Sequence, residues 1–174
     1  MNKPENLIVH HTADYYIGEQ FSRINAWHKQ RDFPISSKGF FVGYHYVIER
    51  SGQLIQARED TETGAHTIGM NNNSIGICVV GDFNQERPSL AQLIALKNLI
   101  NKKMIEHNIL PDNIRAHRNF KDTSCCGKNL TDLEIKLLFK PDMAYFEKIV
   151  LRLEELIKQI LASRPVAGKG QKYK

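Results

Sequence analysis

The sequence predicts one α/β domain, a central mixed β-sheet flanked by helices. Three observations predict it. Two short apolar runs, Leu7-Ile-Val-His10 and Ser74-Ile-Gly-Ile-Cys-Val-Val80, read as buried strands. Between them, Gly43 to Glu49, the turn Arg50-Ser51-Gly52 and Gln53 to Gln56 read as a hairpin. Further on, Ser89 with Gln92 and Thr131 with Glu134 match capping boxes that start helices. Strands and helices in mixed order, with a hairpin in the middle, suit a mixed sheet covered by helices.

Composition bounds the rest. A chain of 174 residues fits one domain. A domain of that size buries roughly 70% of its unfolded surface and needs no disulfide staple. The 41% apolar and 25% charged fractions are those of a globular protein. No apolar run approaches the roughly 20 residues that span a bilayer, and Met1 to Asn6 lacks the apolar core of a secretory signal. The expectation is a chain folded in a cytoplasm, or an excised domain. Three cysteines, two of them adjacent at Cys125 and Cys126, argue for metal binding or burial over a disulfide framework. A net charge of +5 suits an anionic partner or is simply a solvated basic surface. No helix-turn-helix, zinc-finger or aromatic-basic RNA pattern is present, so nucleic acid is not an expected partner.

Taken in order, His10 closes the first run. It therefore sits at a strand's C-terminal end, where sites form in α/β sheets. Glu19 to Arg31 reads as a helix with Phe21, Ile24, Trp27 and His28 at helical spacing, ended by Asp32-Phe33-Pro34. On spacing alone His28 reads as a surface histidine, a pocket position being the alternative. Strand alternation puts Tyr44, Tyr46 and Ile48 on one face and His45, Val47 and Glu49 on the other. Gly64-Ala65-His66 precedes a polar loop whose asparagines, Asn71 to Asn73, read as turn formers. Cys78 reads as a small core residue. The helix opened by Pro88 and Ser89 carries an apolar stripe of Leu93, Leu96, Ile100 and Met104 and ends near His107-Asn108. Asn113 to His117 is a short strand, Thr131 opens a helix to about Phe139, and Pro141 breaks the chain.

From Asp142 to Ser163 an amphipathic helix is expected, with Phe146, Val150, Leu153, Ile157 and Ile160 in a seam of about two heptads. Packing on the domain, self-association and contact with a wall all stay open for it. The basic tail from Gly168 to Lys174 is expected to be disordered. The chain thus divides into 1–140, 141–163 and 164–174.

The chemistry concentrates in His117-Arg-Asn-Phe-Lys-Asp-Thr-Ser-Cys125, an imidazole and a thiol eight positions apart. With His10 they make an N,N,S donor set that zinc accepts readily. Four protein ligands, with Cys126 as the fourth, make a structural site. Three leave an open position for a hydroxide nucleophile and carbonyl polarisation. The hydroxyls of Tyr44 and Thr123 are then candidates to stabilise an oxyanion. Spacing alone does not bring His10 to His117, and two strand-end histidines beside an unreactive cysteine stay as the plain alternative.

Five motifs together, Leu7 to Ala13, Gly43 to Gly52, Gly64 to His66, Ser74 to Ile77 with Gly81 to Asn84, and His117 to Cys125, resemble the zinc-dependent N-acetylmuramoyl-L-alanine amidases. These type 2 amidases share a fold with peptidoglycan recognition proteins and with phage lysozymes that act as amidases. The resemblance runs from about Asn6 to Leu130. It implies that fold, here with an extra C-terminal helix, and Zn2+ held by His10, His117 and Cys125. It implies catalytic roles for Tyr44 and Thr123, Thr123 falling where some phage members carry a lysine and Lys121, two places early, being held in reserve. Its substrate is bacterial peptidoglycan, cleaved between N-acetylmuramic acid and L-alanine, and His28, His66 and Asn72 are expected along the groove. The expected protein is a monomeric phage or prophage endolysin, cytoplasmic until it reaches the wall. The family usually reads Cys-Pro-Gly where this chain reads Cys125-Cys126-Gly127, which sets a second thiol beside the ligand. Two rivals stand against it: a non-catalytic peptidoglycan-binding module, and a structural metal with a basic, polymerase-regulating surface.

Overall fold

The two apolar runs lie side by side in the middle of a five-stranded sheet. A computed structural model, which describes residues 1–138, 151 and 154–159, gives β1 at Asn6–His11, β2 at Tyr46–Ile48, β3 at Leu54–Gln56, β4 at Ser74–Val79 and β5 at Ile114–Ala116. The order is β3-β2-β4-β1-β5. Strands β2, β4, β1 and β5 run parallel and β3 returns antiparallel on β2, so the sheet is mixed, as the sequence predicts.

Helices cover both faces, which is why the central strands read as unbroken apolar runs. On one face Leu7, Val9, Ile75 and Ile77 pack with Leu96, Leu99 and Ile100 of α2 (Leu90–His107) and Ile135 of α3 (Asp132–Leu138). On the other, Val47, Cys78 and Val80 pack with Val42 and with Ile24 of α1 (Phe21–Lys29). Both capping boxes form: Ser89 and Gln92 exchange side-chain bonds, as do Thr131 and Glu134. Asn108, left-handed at φ 55°, closes α2.

Two local expectations change. Helix α1 is shorter than 19–31, because both its ends are set by tertiary groups. The buried Glu49 carboxylate accepts from Gln20 N and Phe21 N at its start, and Asp32 turns left-handed at φ 56° after its end. Tyr44 does not join Tyr46 and Ile48. The chain bends over residues 43–45 before β2 begins, so Tyr44 packs with Val42 and Val47 on the α1 face.

The chain falls into two units, Met1–Phe139 and Lys140–Lys174. In the second, residues 151 and 154–159 are helical. The rest of the helix expected over 142–163, most of its seam and the basic tail lie outside the described residues. Among the described residues no helix is long and apolar enough to cross a membrane.

Candidate metal centre

His10 and His117 leave the C-terminal ends of neighbouring parallel strands. Val9 pairs with Ala116, so the next residue on each strand rises at the same level, and the two ring centroids lie 4.4 Å apart. Cys125 is returned to them by a clamp on its loop. Arg118 N donates to Cys125 O at 2.9 Å, and its guanidinium Nη2 donates to Gly127 O and Leu130 O. Gly127 takes φ +83°, and a Cβ there would lie 2.3 Å from the Phe83 carbonyl carbon, so only glycine lets this loop close. Cys125 Sγ then lies 4.0 Å from His10 Nδ1. One donor atom from each of His10, His117 and Cys125 falls within 4.8 Å of the others.

The protonation states suit a metal. Burial lowers the His10 pKa, against the pull of the Cys125 sulfur, so the ring is neutral at pH 7. Cys125 is drawn down by the Cys126 thiol and by the imidazoles of His10 and His117, which outweigh burial. The single Cys126 proton has a better acceptor in Val9 O at 2.7 Å. Cys126 itself is fully buried in the core and stands outside the donor set. Two imidazoles and a cysteine sulfur, with three protein donors and no fourth among the described residues, fit zinc in an open site.

The other expected residues distribute unevenly. The Tyr44 ring lies 5.1 Å from that of His10. Burial first, then the sulfurs of Cys78 and Cys125, push its pKa well up, so it is a neutral O–H donor. Thr123 Oγ1 accepts from Cys125 N at 3.3 Å, which ties it to the ligand loop, while Lys121 is exposed. The surface reading of His28 is corrected. It is 3% exposed, stacked on Phe33 at 4.3 Å, and its Nδ1 accepts from Gly43 N. Burial, helped by Arg58 and Arg31, holds it at about 4, so it is neutral.

His66 reaches the cluster from behind rather than from the groove, its Nδ1 3.1 Å from His10 Nε2. Asn72 does not reach it. It is exposed, its carbonyl accepts from Lys3 N, and it precedes Ser74, which pairs with Asn6 at the far end of β1 from His10. The asparagine that touches the site is Asn71, whose Oδ1 accepts from His66 N and Thr67 N.

Beside Tyr44 a cleft of about 230 Å³ opens, lined by Thr12, Asp14, Gln20, Arg23, Ile24, Trp27 and His28. Its α1 wall is held by two buried charges that carry no sequence signal. One is Glu49 at the helix start. The other is Arg58, 2% exposed, which donates to Val42 O at 2.7 Å and to Pro34 O and so fixes the loop between α1 and Tyr44.

Known proteins resemble the chain in sequence and fold. Residues 1–128 match the family model described as N-acetylmuramoyl-L-alanine amidase. Peptidoglycan-recognition protein SC2 of Drosophila melanogaster is 29% identical over 125 residues, 71% of this chain and 68% of that protein. The endolysin of Enterobacteria phage T3 is 29% identical over 107 residues, 59% of this chain and 66% of its own. Among solved structures, N-acetylmuramoyl-L-alanine amidase LysC from Clostridium intestinale URNW superposes with a TM-score of 0.68 at 30% identity, over 78% of this chain and 85% of that one.

Proposed function

Because the chain belongs to the N-acetylmuramoyl-L-alanine amidase family, whose substrate or ligand is peptidoglycan, we propose that it is a zinc-dependent hydrolase of the amide between N-acetylmuramic acid and L-alanine. The observation that carries this is the convergence of His10, His117 and Cys125 next to Tyr44, whose ring lies 5.1 Å from that of His10 and also lines the neighbouring cleft. A binding-only module has no use for a complete donor set with an open position.

Zinc, when bound, supplies a Lewis acid and a hydroxide nucleophile near neutral pH. The chain's own residues supply the rest. His10 and His117 would hold the zinc through ring nitrogens and Cys125 through its sulfur. Tyr44 donates its O–H to the oxygen that gains charge as the amide carbon becomes tetrahedral, and Thr123 is the second hydroxyl near that position. The cleft along α1, with His28 and Trp27 in its wall, receives the stem peptide and orients the amide. The endolysin relatives support a lytic role at the cell wall, and the net charge of +5 favours adsorption to an anionic wall.

The test is direct. Purified peptidoglycan is incubated with the zinc-loaded protein, and new L-alanine amino termini and new reducing sugars are assayed separately. Amino termini without reducing sugars, abolished by chelator and restored by zinc, are expected. Binding to the wall with no amine released makes the protein a recognition module instead.

A further inference from the structure

The His10 ring offers two nitrogens, and only one faces the donor set. Nδ1 lies 4.0 Å from Cys125 Sγ, while Nε2 lies 3.1 Å from His66 Nδ1 and 3.4 Å from Thr67 Oγ1. We propose that His66 is the positioning residue of the centre, accepting the His10 Nε2–H on its own Nδ1 and so leaving His10 Nδ1 bare for a metal. The inference rests on the zinc reading of the site.

Three features carry it. His66 meets His10 edge-on, with centroids 5.1 Å apart and planes at 84°, the orientation of a hydrogen bond between rings rather than a stack. Its seat is cut to size, since a Cβ on Gly64 or Gly76 would come within 2.6 Å or 2.5 Å of the ring. That same seat includes the backbone, pinned because Asn71 Oδ1 accepts from both His66 N and Thr67 N.

The third feature is a missing partner. His66 Nε2 is buried and has no hydrogen-bond partner among the described residues. The neighbouring His45 shows what a purely structural histidine looks like here. Its Nδ1 accepts from Gly76 N at 3.0 Å and its Nε2 lies 2.9 Å from Glu62 O, so both nitrogens are used. Buried polar atoms in folded proteins are normally paired. A histidine held with one nitrogen unpaired is held for its other nitrogen, and that nitrogen faces His10 Nε2 at 3.1 Å, with the Thr67 hydroxyl beside it at 3.0 Å. A metal-bound imidazole needs such an acceptor to fix its tautomer and raise its basicity.

The test uses the whole chain. His66→Phe keeps a ring and removes the acceptor, whereas His66→Asn restores an oxygen near the Nδ1 position. Zinc affinity, measured by competition with a chelator, is expected to fall about 10- to 100-fold in His66→Phe and to recover most of that loss in His66→Asn. Thr67→Val removes the 3.4 Å contact to His10 and the 3.0 Å contact to His66 Nδ1 but leaves the acceptor itself, and costs less. Nitrogen-detected NMR of histidine-labelled wild-type protein reads the tautomer without any variant, and a proton on His10 Nε2 is expected. Unchanged zinc affinity in His66→Phe, or a wild-type His10 protonated on Nδ1, overturns the proposal. Wild-type protein that takes up no zinc through His10, His117 and Cys125 overturns the zinc reading itself, before any change at His66.

Discussion

The backbone N–H of His11 points at the Cys125 sulfur from 3.4 Å. Strand β1 therefore serves the candidate centre twice, through the His10 ring and through the next amide. A sulfur that accepts a backbone N–H is favoured in its charged form. One residue earlier, Val9 O takes the Cys126 proton at 2.7 Å. Three consecutive residues of one strand thus sort two adjacent cysteines into a candidate ligand and a core residue.

That sorting predicts opposite outcomes for two conservative changes. Cys125→Ser is expected to lose stoichiometric zinc after dialysis. Cys126→Ser is expected to keep it, at a cost of about 1 kcal/mol in stability for disturbing a buried donor. Metal analysis of the two purified variants decides, and loss of zinc from Cys126→Ser alone reverses the assignment.

The proposed role of Tyr44 is in the chemistry rather than in holding the metal. Tyr44→Phe is expected to retain full zinc content while amine release slows by about 10²- to 10³-fold, the usual cost of one oxyanion donor. Near-wild-type rates in that variant would remove Tyr44 from the proposed role.

Glu49 acts on the cleft through α1. Its carboxylate accepts from Gln20 N at 2.9 Å and from Phe21 N at 2.6 Å, in a helix with no side-chain cap of its own. Glu49→Gln turns an N–H donor toward those amides and is expected to destabilise the chain by about 1–2 kcal/mol. Hydrogen exchange over residues 21–29 should quicken and KM for peptidoglycan should rise. Unchanged exchange in α1 would show that the helix start is held by something else.

A second buried charge group predicts pH dependence. Asp60 receives Lys103 Nζ at 2.6 Å, His107 Nε2 at 2.7 Å and the Tyr46 O–H at 2.7 Å. Burial raises the Asp60 pKa, but the bonds from Lys103, His107 and Tyr46 outweigh it and hold the carboxyl below its ordinary value. A folded value below the unfolded one means the stabilisation is present above about pH 4 and is lost as pH falls through the folded value. Lys103 is pushed the other way: burial lowers its pKa, and Asp60 and Glu106 raise it by more. Its share therefore persists across neutral pH. Thermal unfolding from pH 6 to pH 3 should fall more steeply for wild type than for Asp60→Asn, and parallel curves would contradict the linkage.

How much of this was legible in the sequence depends on whether the cause is local. The apolar runs at Leu7 and Ser74, the capping boxes at Ser89 and Thr131, and the stop at Asn108 are short-range signals, and each appears in the fold. The three candidate ligands were legible only through family resemblance, because His10 and Cys125 are 115 positions apart and spacing cannot bring them together. What escaped is tertiary. His28 is buried by Phe33 and Gly43 beyond its helix, and the bend before β2 moves Tyr44 to the other face. Arg58 and Glu49 carry no local signal, yet they bind backbone groups far along the chain. The seat of His66 is made by glycines whose importance shows only once their neighbours are in place.

The central claim is that His10, His117 and Cys125 hold a catalytic metal, and one measurement reaches it most directly. Zinc-loaded wild-type protein and Cys125→Ser are compared for release of L-alanine amino termini from purified peptidoglycan, with bound zinc quantified in the same samples. The account predicts amine release in step with zinc content for wild type, and neither in Cys125→Ser. A zinc-replete wild-type protein that frees no amino termini, or a zinc-free Cys125→Ser that frees them at the wild-type rate, would contradict it.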